Sequence, residues 1–174
     1  MEEKFVCLKE AVSIEDFKFV HEVETDPEVI HFCFPNFQES DTVAVSSYQG
    51  MYDDYKTQEN KVLYIVWFGQ ERAGSFGAIR NFSMLAGEKE NTAWISLAFA
   101  KKYHGSPLIK EAYENFEDIL RNSGYNGIEL GVFDFNLRGI KFYEKMGYRK
   151  IKVLENFTYY NGKWRSDIRY VKSL

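Results

Sequence analysis

An apolar run of seven residues, VLYIVWF at 62–68, limits what this chain can fold into more than any other feature. A strand with one solvent-facing side alternates apolar and polar residues. This run is apolar or aromatic throughout, as in a strand that is covered on both faces. The sequence therefore predicts a central sheet with packing layers on both sides.

Strand and helix patterns alternate downstream of this run. From residue 62 the predicted order is strand, strand, strand, helix, strand, helix, strand, strand. The helices start after Gly105 and at Asn136, and an Asn161-Gly162 turn joins the last two strands. This order predicts an α/β (α+β) fold with a mixed sheet. The predicted strands are residues 62–68, 73–80, 92–100, 127–133, 149–159 and 164–171.

The first third of the chain is predicted to be mainly helical after a short strand at 5–8. Ser13 and Asp16 form a capping-box pattern ahead of the first helix. A short helix is predicted to start at 25–27, where proline suits the first turn. A helical stripe is predicted between residues 41 and 56. We interpret it as a core face, with the lining of an acceptor site as the alternative. Its members are Ala44, Tyr48, Met51, Tyr52 and Tyr55.

Size, charge and cysteine usage narrow the function classes. A chain of 174 residues suits a single domain, 1–174. Its net charge of −4, without blocks of like charge, argues against nucleic acid or a membrane surface as the partner. Cys7 and Cys33 lie in apolar contexts without metal-ligand spacing, which predicts reduced thiols, no metal and a cytoplasmic location. The acidic, weakly apolar N-terminus is unlike a signal peptide.

The segment KKYHGSP (101–107) combines a basic loop, a glycine and a helix start. Backbone N–H groups in the first turn of a helix lack intrahelical partners, and the helix dipole adds positive charge there. Such a loop after a strand is a suitable anion site. An ordinary helix N-terminus with solvated lysines is the alternative.

Two motifs resemble those of the GNAT superfamily of N-acetyltransferases, in its ribosomal-protein and polyamine branch. Residues 102–107 are similar to the Gln/Arg-x-x-Gly-x-Gly/Ala loop that cradles the pyrophosphate of acetyl-CoA, with Gly105 matching and Pro107 departing from the pattern. The segment NLRGIKFYEKMGY (136–148) is similar to the family's Asn-x-x-small-Ile-x-Phe/Leu-Tyr-Glu-Lys-x-Gly-Phe/Tyr pattern. The tail NGKWRSD (161–167) also resembles the terminal hairpin of that branch.

The resemblance implies a mostly antiparallel central sheet flanked by helices and the transfer of an acetyl group from acetyl-CoA to a primary amine. It implies that Tyr143 is the general acid for the thiolate and that Asn136 contacts the pantetheine arm. It also implies a β-bulge in the strand at 92–100, with a main-chain N–H near Leu97 serving the oxyanion. The residues implied to bind the cofactor are Ile95, Ser96, Leu97, Lys102, Tyr103, His104, Gly105, Ser106, Pro107, Leu108 and Asn136.

The general base is left unassigned. Some protein N-terminal acetyltransferases carry glutamate where this chain has Gly131, and Glu129 lies two residues earlier on the same strand face. Each further candidate has a surface or structural role as its simpler interpretation. These candidates from the early helices are His21, Glu24, Glu28 and His31.

The leading hypothesis is therefore an acetyl-CoA-dependent N-acetyltransferase acting on a protein N-terminus, a polyamine or a small amine. Pro107 and Gly131 support an alternative, a degenerate GNAT-like binding module that holds acetyl-CoA, or has lost it, and acts through a partner. An unrelated α/β domain would require both late motifs to be coincidental. The expected partner is a small-molecule or peptide amine, and the sequence leaves a homodimer open.

Overall fold

The computed structural model describes residues 5–36, 46–88 and 90–174 and contains one seven-stranded sheet between two layers of helices. The strands are β1 (Val6–Glu10), β2 (Lys61–Phe68), β3 (Glu71–Arg80), β4 (Thr92–Phe99), β5 (Gly127–Phe133), β6 (Arg149–Tyr160) and β7 (Lys163–Ser173). The helices are α1 (Ile14–Glu24), α2 (Ile30–Cys33), α3 (Tyr48–Thr57), α4 (Leu108–Asn122) and α5 (Leu137–Lys145).

The strand order is β1-β2-β3-β4-β5-β7-β6, and every neighbouring pair is antiparallel except β4 and β5. Alternate residues of β2 enter two different cores. Ile65 packs with Phe17 of α1, whereas Val66 joins the core that contains Tyr113 and Phe116 of α4. The predicted double coverage of the central apolar run is confirmed.

Local hydrogen bonds determine where the early helices begin. Ser13 and Asp16 form the predicted capping box, and Ser13 Oγ accepts from Asp16 N at 3.3 Å. The helix predicted from 25–27 begins later, at Ile30, because Asp26 first organises a turn in which its carbonyl oxygen accepts from Val29 N at 2.8 Å.

The tyrosine stripe lies on α3, whose N-cap is Ser47; Ala44 and the rest of 37–45 lie outside the described residues. The rings of Tyr52 and Tyr55 lie 5.4 and 5.2 Å from that of Phe17, and neither lines the cavity described below. The core-face interpretation holds for Met51, Tyr52 and Tyr55, which pack against the cluster around Phe17, whereas Tyr48 is exposed.

The sheet opens between β4 and β5. Their parallel pairing covers only Thr92–Trp94 against Gly127–Glu129. Beyond it, β4 remains paired with β3 as far as Phe99, and β5 with β7 as far as Phe133. The register between β3 and β4 is continuous, so the expected β-bulge in β4 is absent. The opening comes instead from the early end of the β4–β5 ladder.

Candidate active site

A cavity of about 790 Å³ occupies the opening between β4 and β5. Its walls come from the second half of β4, residues 131 and 132 of β5, the loop before α4, the first turns of α4, α5, and the ends of α1 and α2. Concave sites of this size suit small molecules and cofactors.

Many of the predicted cofactor residues line this cavity together. They are Ile95, Ser96 and Leu97 of β4, His104, Gly105 and Ser106 of the loop, and Asn136 at the start of α5. Beyond Trp94, the edge of β4 that faces β5 has no strand partner within the described part of the sheet. Main-chain groups on this edge are therefore available to a ligand in extended conformation.

Four predicted residues lie elsewhere: Lys102, Tyr103, Pro107 and Leu108 are outside the cavity wall. Lys102 Nζ lies 2.7 Å from a carboxylate oxygen of Glu71 at the start of β3. The hydroxyl of Tyr103 donates to the same carboxylate, and its ring packs edge-on against Phe68. Both side chains therefore contact the start of β3, and Tyr103 also belongs to the core.

The loop uses several of its own main-chain donors. Ser106 N donates to Tyr103 O at 2.9 Å, Leu108 N to Ser106 Oγ at 3.3 Å, and Pro107 has no N–H. The N–H of Gly105, at φ +85°, has no acceptor among the residues described. His104 adds little positive charge near neutral pH, because burial lowers its pKa, and its Nε2 lies 2.9 Å from Phe99 O.

The positive charge at the cavity comes from three side chains that the sequence analysis did not select. Lys110 lies in the first turn of α4, and Arg138 and Lys145 lie near the two ends of α5. Arg138 and Lys145 lie within the segment 136–148 and Lys110 lies three residues after the 102–107 loop, and these positions were the available signal. Together they can hold phosphate groups electrostatically.

Asn136 caps α5 through its side chain. Its Oδ1 accepts from Gly139 N at 3.0 Å, and a Cβ on Gly139 would approach the Asn136 amide to 2.8 Å. This tight cap leaves the Nδ2 group at the cavity wall, where it can donate to a ligand.

Tyr143 lines the cavity with only 9% of its surface exposed. Its ring packs against Tyr113 and Tyr148, with centroids 6.2 and 5.7 Å away. No hydrogen bond to its hydroxyl occurs within the described structure. Burial, and then the neighbouring Cys33, raise its pKa, so the phenol keeps its proton at neutral pH and can donate it.

A buried ion-pair network, formed by Glu129, Asp167 and Arg169, lies behind β5. The Glu129 carboxylate accepts from Ala86 N and Gly87 N at 2.8 Å each. Arg169 donates to Asp167 at 2.6 Å and reaches Glu129 at 3.5 Å. These hydrogen bonds hold Glu129 away from the cavity.

The same network explains why residue 131 is a glycine. A Cβ at this position would lie 2.6 Å from Asp167 Oδ1, so the carboxylate of β7 fills the space that a side chain on β5 would need. A glutamate cannot be accommodated there without displacing Asp167. The strand that carries the base in some N-terminal acetyltransferases therefore cannot carry one here.

Of the early-helix candidates, Glu24 alone lines the cavity; this comparison covers the described residues. Glu28 is exposed and pairs with Lys101, and His31 stacks on Tyr160 at 5.1 Å. His21 packs near Tyr48, at 6.2 Å between ring centroids. Desolvation raises the pKa of Glu24 to about 7.

Comparison with known proteins identifies the family and the fold. The family model for the acetyltransferase (GNAT) domain matches residues 10–168. No curated protein matches significantly by sequence. In its described part, the chain has no helix long and apolar enough to span a bilayer.

Solved structures share the fold at low identity. The spermidine N-acetyltransferase of Vibrio cholerae, solved with CoA and spermine, is 16% identical with a TM-score of 0.78, over 97% of this chain and 95% of that chain. A putative acetyltransferase of Acinetobacter baylyi ADP1 gives the same identity and TM-score over 100% and 94%. At such identities the likeness establishes the fold alone. The family match, which spans most of the sequence, shows that this chain belongs to the GNAT acetyltransferases.

Proposed function

We propose that this protein transfers an acetyl group from acetyl-CoA to a primary amine by direct attack within the cavity between β4 and β5. The observation that carries the proposal is the position of Tyr143. A protonated phenol lines the same cavity as the unpaired edge of β4 and the starts of α4 and α5.

In this proposal the cofactor enters along β4. Ile95, Ser96 and Leu97 pair with the pantetheine arm through their main chain, and the N–H near Leu97 stabilises the oxyanion. Gly105 N and the side chains of Lys110 and Lys145 hold the phosphates. Asn136 contributes its side-chain N–H groups to the arm.

Transfer then proceeds through a tetrahedral intermediate. The neutral amine forms a C–N bond to the thioester carbon, and the tetrahedral intermediate collapses with cleavage of the C–S bond. Tyr143 protonates the departing sulfur and is reprotonated by the proton that the new amide nitrogen loses. The products are an N-acetyl amide and CoA with a free thiol.

A second candidate function is acetyl-CoA binding without efficient turnover. It is favoured by the loop before α4. There Pro107 lacks an N–H, and the N–H groups of Ser106 and Leu108 donate to acceptors within the protein. In this version the chain would act through a partner.

Two measurements on the full chain test the proposal. We expect CoA to raise the melting temperature, since a ligand at about 100 times its Kd adds about 2.7 kcal/mol of stability. We also expect thiol release from acetyl-CoA that depends on an added amine. The panel contains an N-terminal peptide, a small monoamine and spermidine, which is included because a structural neighbour is a spermidine acetyltransferase. Binding without amine-dependent release would support the binding module, and absence of binding would contradict both.

A further inference from the structure

Acetyl transfer to an amine requires a proton acceptor, because amines with ordinary pKa values are mostly ammonium ions at neutral pH and have no free lone pair. Among the described residues of the cavity wall, Glu24 is the one carboxylate. It is the last residue of α1, so it lies at the helix end that meets α2 and the cavity.

The Glu24 carboxylate is unpartnered. It takes part in no hydrogen bond and no ion pair with any residue that the structure describes. Most buried carboxylates are paired or hydrogen-bonded, because an isolated charge away from water is costly. An unpaired carboxylate at a cavity wall is therefore a group whose partner is expected to arrive from outside.

Glu24 is electrostatically coupled to the groups around the predicted acid. Its negative charge adds to burial in raising the pKa of Cys33, and Cys33 in turn raises the pKa of Tyr143. We call Glu24, Cys33 and Tyr143 the cavity cluster. It places a carboxylate on the α1–α2 side of the opening and a phenol on the α5 side.

Of the other titratable groups of the wall, His104 is a weaker base than Glu24, because burial lowers its pKa and its Nε2 is held 2.9 Å from Phe99 O. Burial and Glu24 raise the pKa of the Cys33 thiol to about 12, so it stays protonated. The described residues of β4 and β5 contribute no titratable side chain to the wall, and the charged side chains of α3, which packs on α1, are exposed. The remaining charged or titratable groups of the wall are His104, Lys110, Arg138, Tyr143 and Lys145.

We propose that Glu24 pairs with the ammonium group of the acceptor in the cavity and removes its proton, so that the neutral amine attacks the thioester. This inference rests on the proposed function. The ammonium N–H bond breaks, the proton moves to a carboxylate oxygen of Glu24, and the nitrogen lone pair becomes the nucleophile. Glu24 returns the proton to solvent after each turnover, while the second proton lost by nitrogen restores Tyr143.

Two consequences follow for the acceptor. It must carry an ammonium group with a proton to give up, because one positive charge matches the carboxylate. Phe32 and Phe34 line the same cavity, so they can contact the apolar part of such an acceptor. The raised pKa of Glu24 near neutrality makes it a suitable proton acceptor at working pH.

The test compares Glu24→Gln, which keeps the shape of the side chain, with Glu22→Gln, an exposed position on the same helix. With the best amine of the panel, we expect Glu24→Gln to lower kcat about 10²-fold at pH 7.5 and to leave the KM for acetyl-CoA unchanged. The rise of wild-type kcat through an apparent pKa near 7 should disappear. Glu22→Gln should match the wild type, and Glu24→Asp should keep the pH-dependent rise at reduced kcat.

The outcomes separate the two proposals. If the wild type acetylates an amine and Glu24→Gln retains both its kcat and its pH profile, Glu24 is not the base and the acetyltransferase proposal stands. If the wild type acetylates no amine, the proposed function fails and Glu24 loses its role with it. A CoA-induced thermal shift in Glu24→Gln shows that the variant is folded.

Discussion

Two sets of acidic side chains lie near the opening of the sheet, and they differ in whether the protein supplies their hydrogen-bond partners. The buried ion-pair network behind β5 satisfies its carboxylates with two main-chain N–H groups and the guanidinium of Arg169. The cavity cluster leaves Glu24 and the phenol of Tyr143 without protein partners in the described structure. The network stabilises the fold, whereas the cluster keeps groups ready for a ligand.

This difference separates two kinds of buried charge. A buried charge with complete hydrogen bonding has no capacity for a new partner, and removing one member leaves the others exposed to a costly environment. An unpaired group costs stability in the free protein and is retained where function needs it. Substitutions in the network should therefore reduce stability, and substitutions in the cluster should reduce activity.

The largest effect is expected for Arg169→Met. This side chain is 4% exposed and faces two carboxylates, so its removal leaves them uncompensated inside the protein. We expect the free energy of unfolding to fall by about 3–5 kcal/mol, measured by urea denaturation. The control is Arg165→Met at the more exposed pair with Asp134, where the loss should stay within about 1 kcal/mol. Equal losses would remove the distinction that we draw for the network.

Tyr143→Phe should lower kcat about 10²-fold, because it removes the proton donor for the thiolate. Its stability should change by less than about 1 kcal/mol, since its hydroxyl makes no hydrogen bond within the described residues. Steady-state thiol release and thermal unfolding measure the two quantities.

The matched control is Tyr148→Phe. In the wild type the Tyr148 hydroxyl lies 2.8 Å from that of Tyr113. Here we expect about 1 kcal/mol of lost stability and an unchanged kcat. The assignment of Tyr143 as the acid would be wrong if its removal left kcat intact.

A gain in stability, rather than a loss, is expected for Glu24→Gln. The pKa of Glu24 is raised in the folded state to about 7 from the ordinary 4.5, so its ionisation disfavours the folded state as pH rises between these values. The variant should therefore be more stable than the wild type at pH 8, by up to about 3 kcal/mol, and the gain should fade as pH falls toward 4.5. Denaturation curves across this range measure it, and a gain independent of pH would show that the carboxylate charge is not its source.

The sequence predicted the starts of α1, α4 and α5 because these depend on local patterns, whereas α2 begins later than predicted. The segment 136–148 carries its own cap at Asn136 and its own stop at Gly147, which has a φ of +87°. These signals predicted the helix, whereas Tyr143, which lines the cavity, was selected by the resemblance of this segment to the GNAT motif. The loop at 101–107 likewise marked the start of α4.

The sequence did not predict the directions in which individual side chains point. Lys102 turns toward Glu71 because β3 starts beside the loop, and this neighbour is 31 residues away in the chain. The occupation of the Gly131 site by Asp167 depends on the register of β5 with β7. Glu24 could not be singled out among the early candidates, because periodicity does not say which helix end meets the opening.

The short parallel ladder between β4 and β5 also affects how the sheet behaves as a mechanical unit. Three residue pairs join a half made of β1 to β4 to a half made of β5 to β7. A thioester cofactor lying along the free edge of β4 would contact both halves and add a connection between them while it is bound. Occupancy would then set the stiffness of the whole sheet, and loss of the cofactor after turnover would relax it.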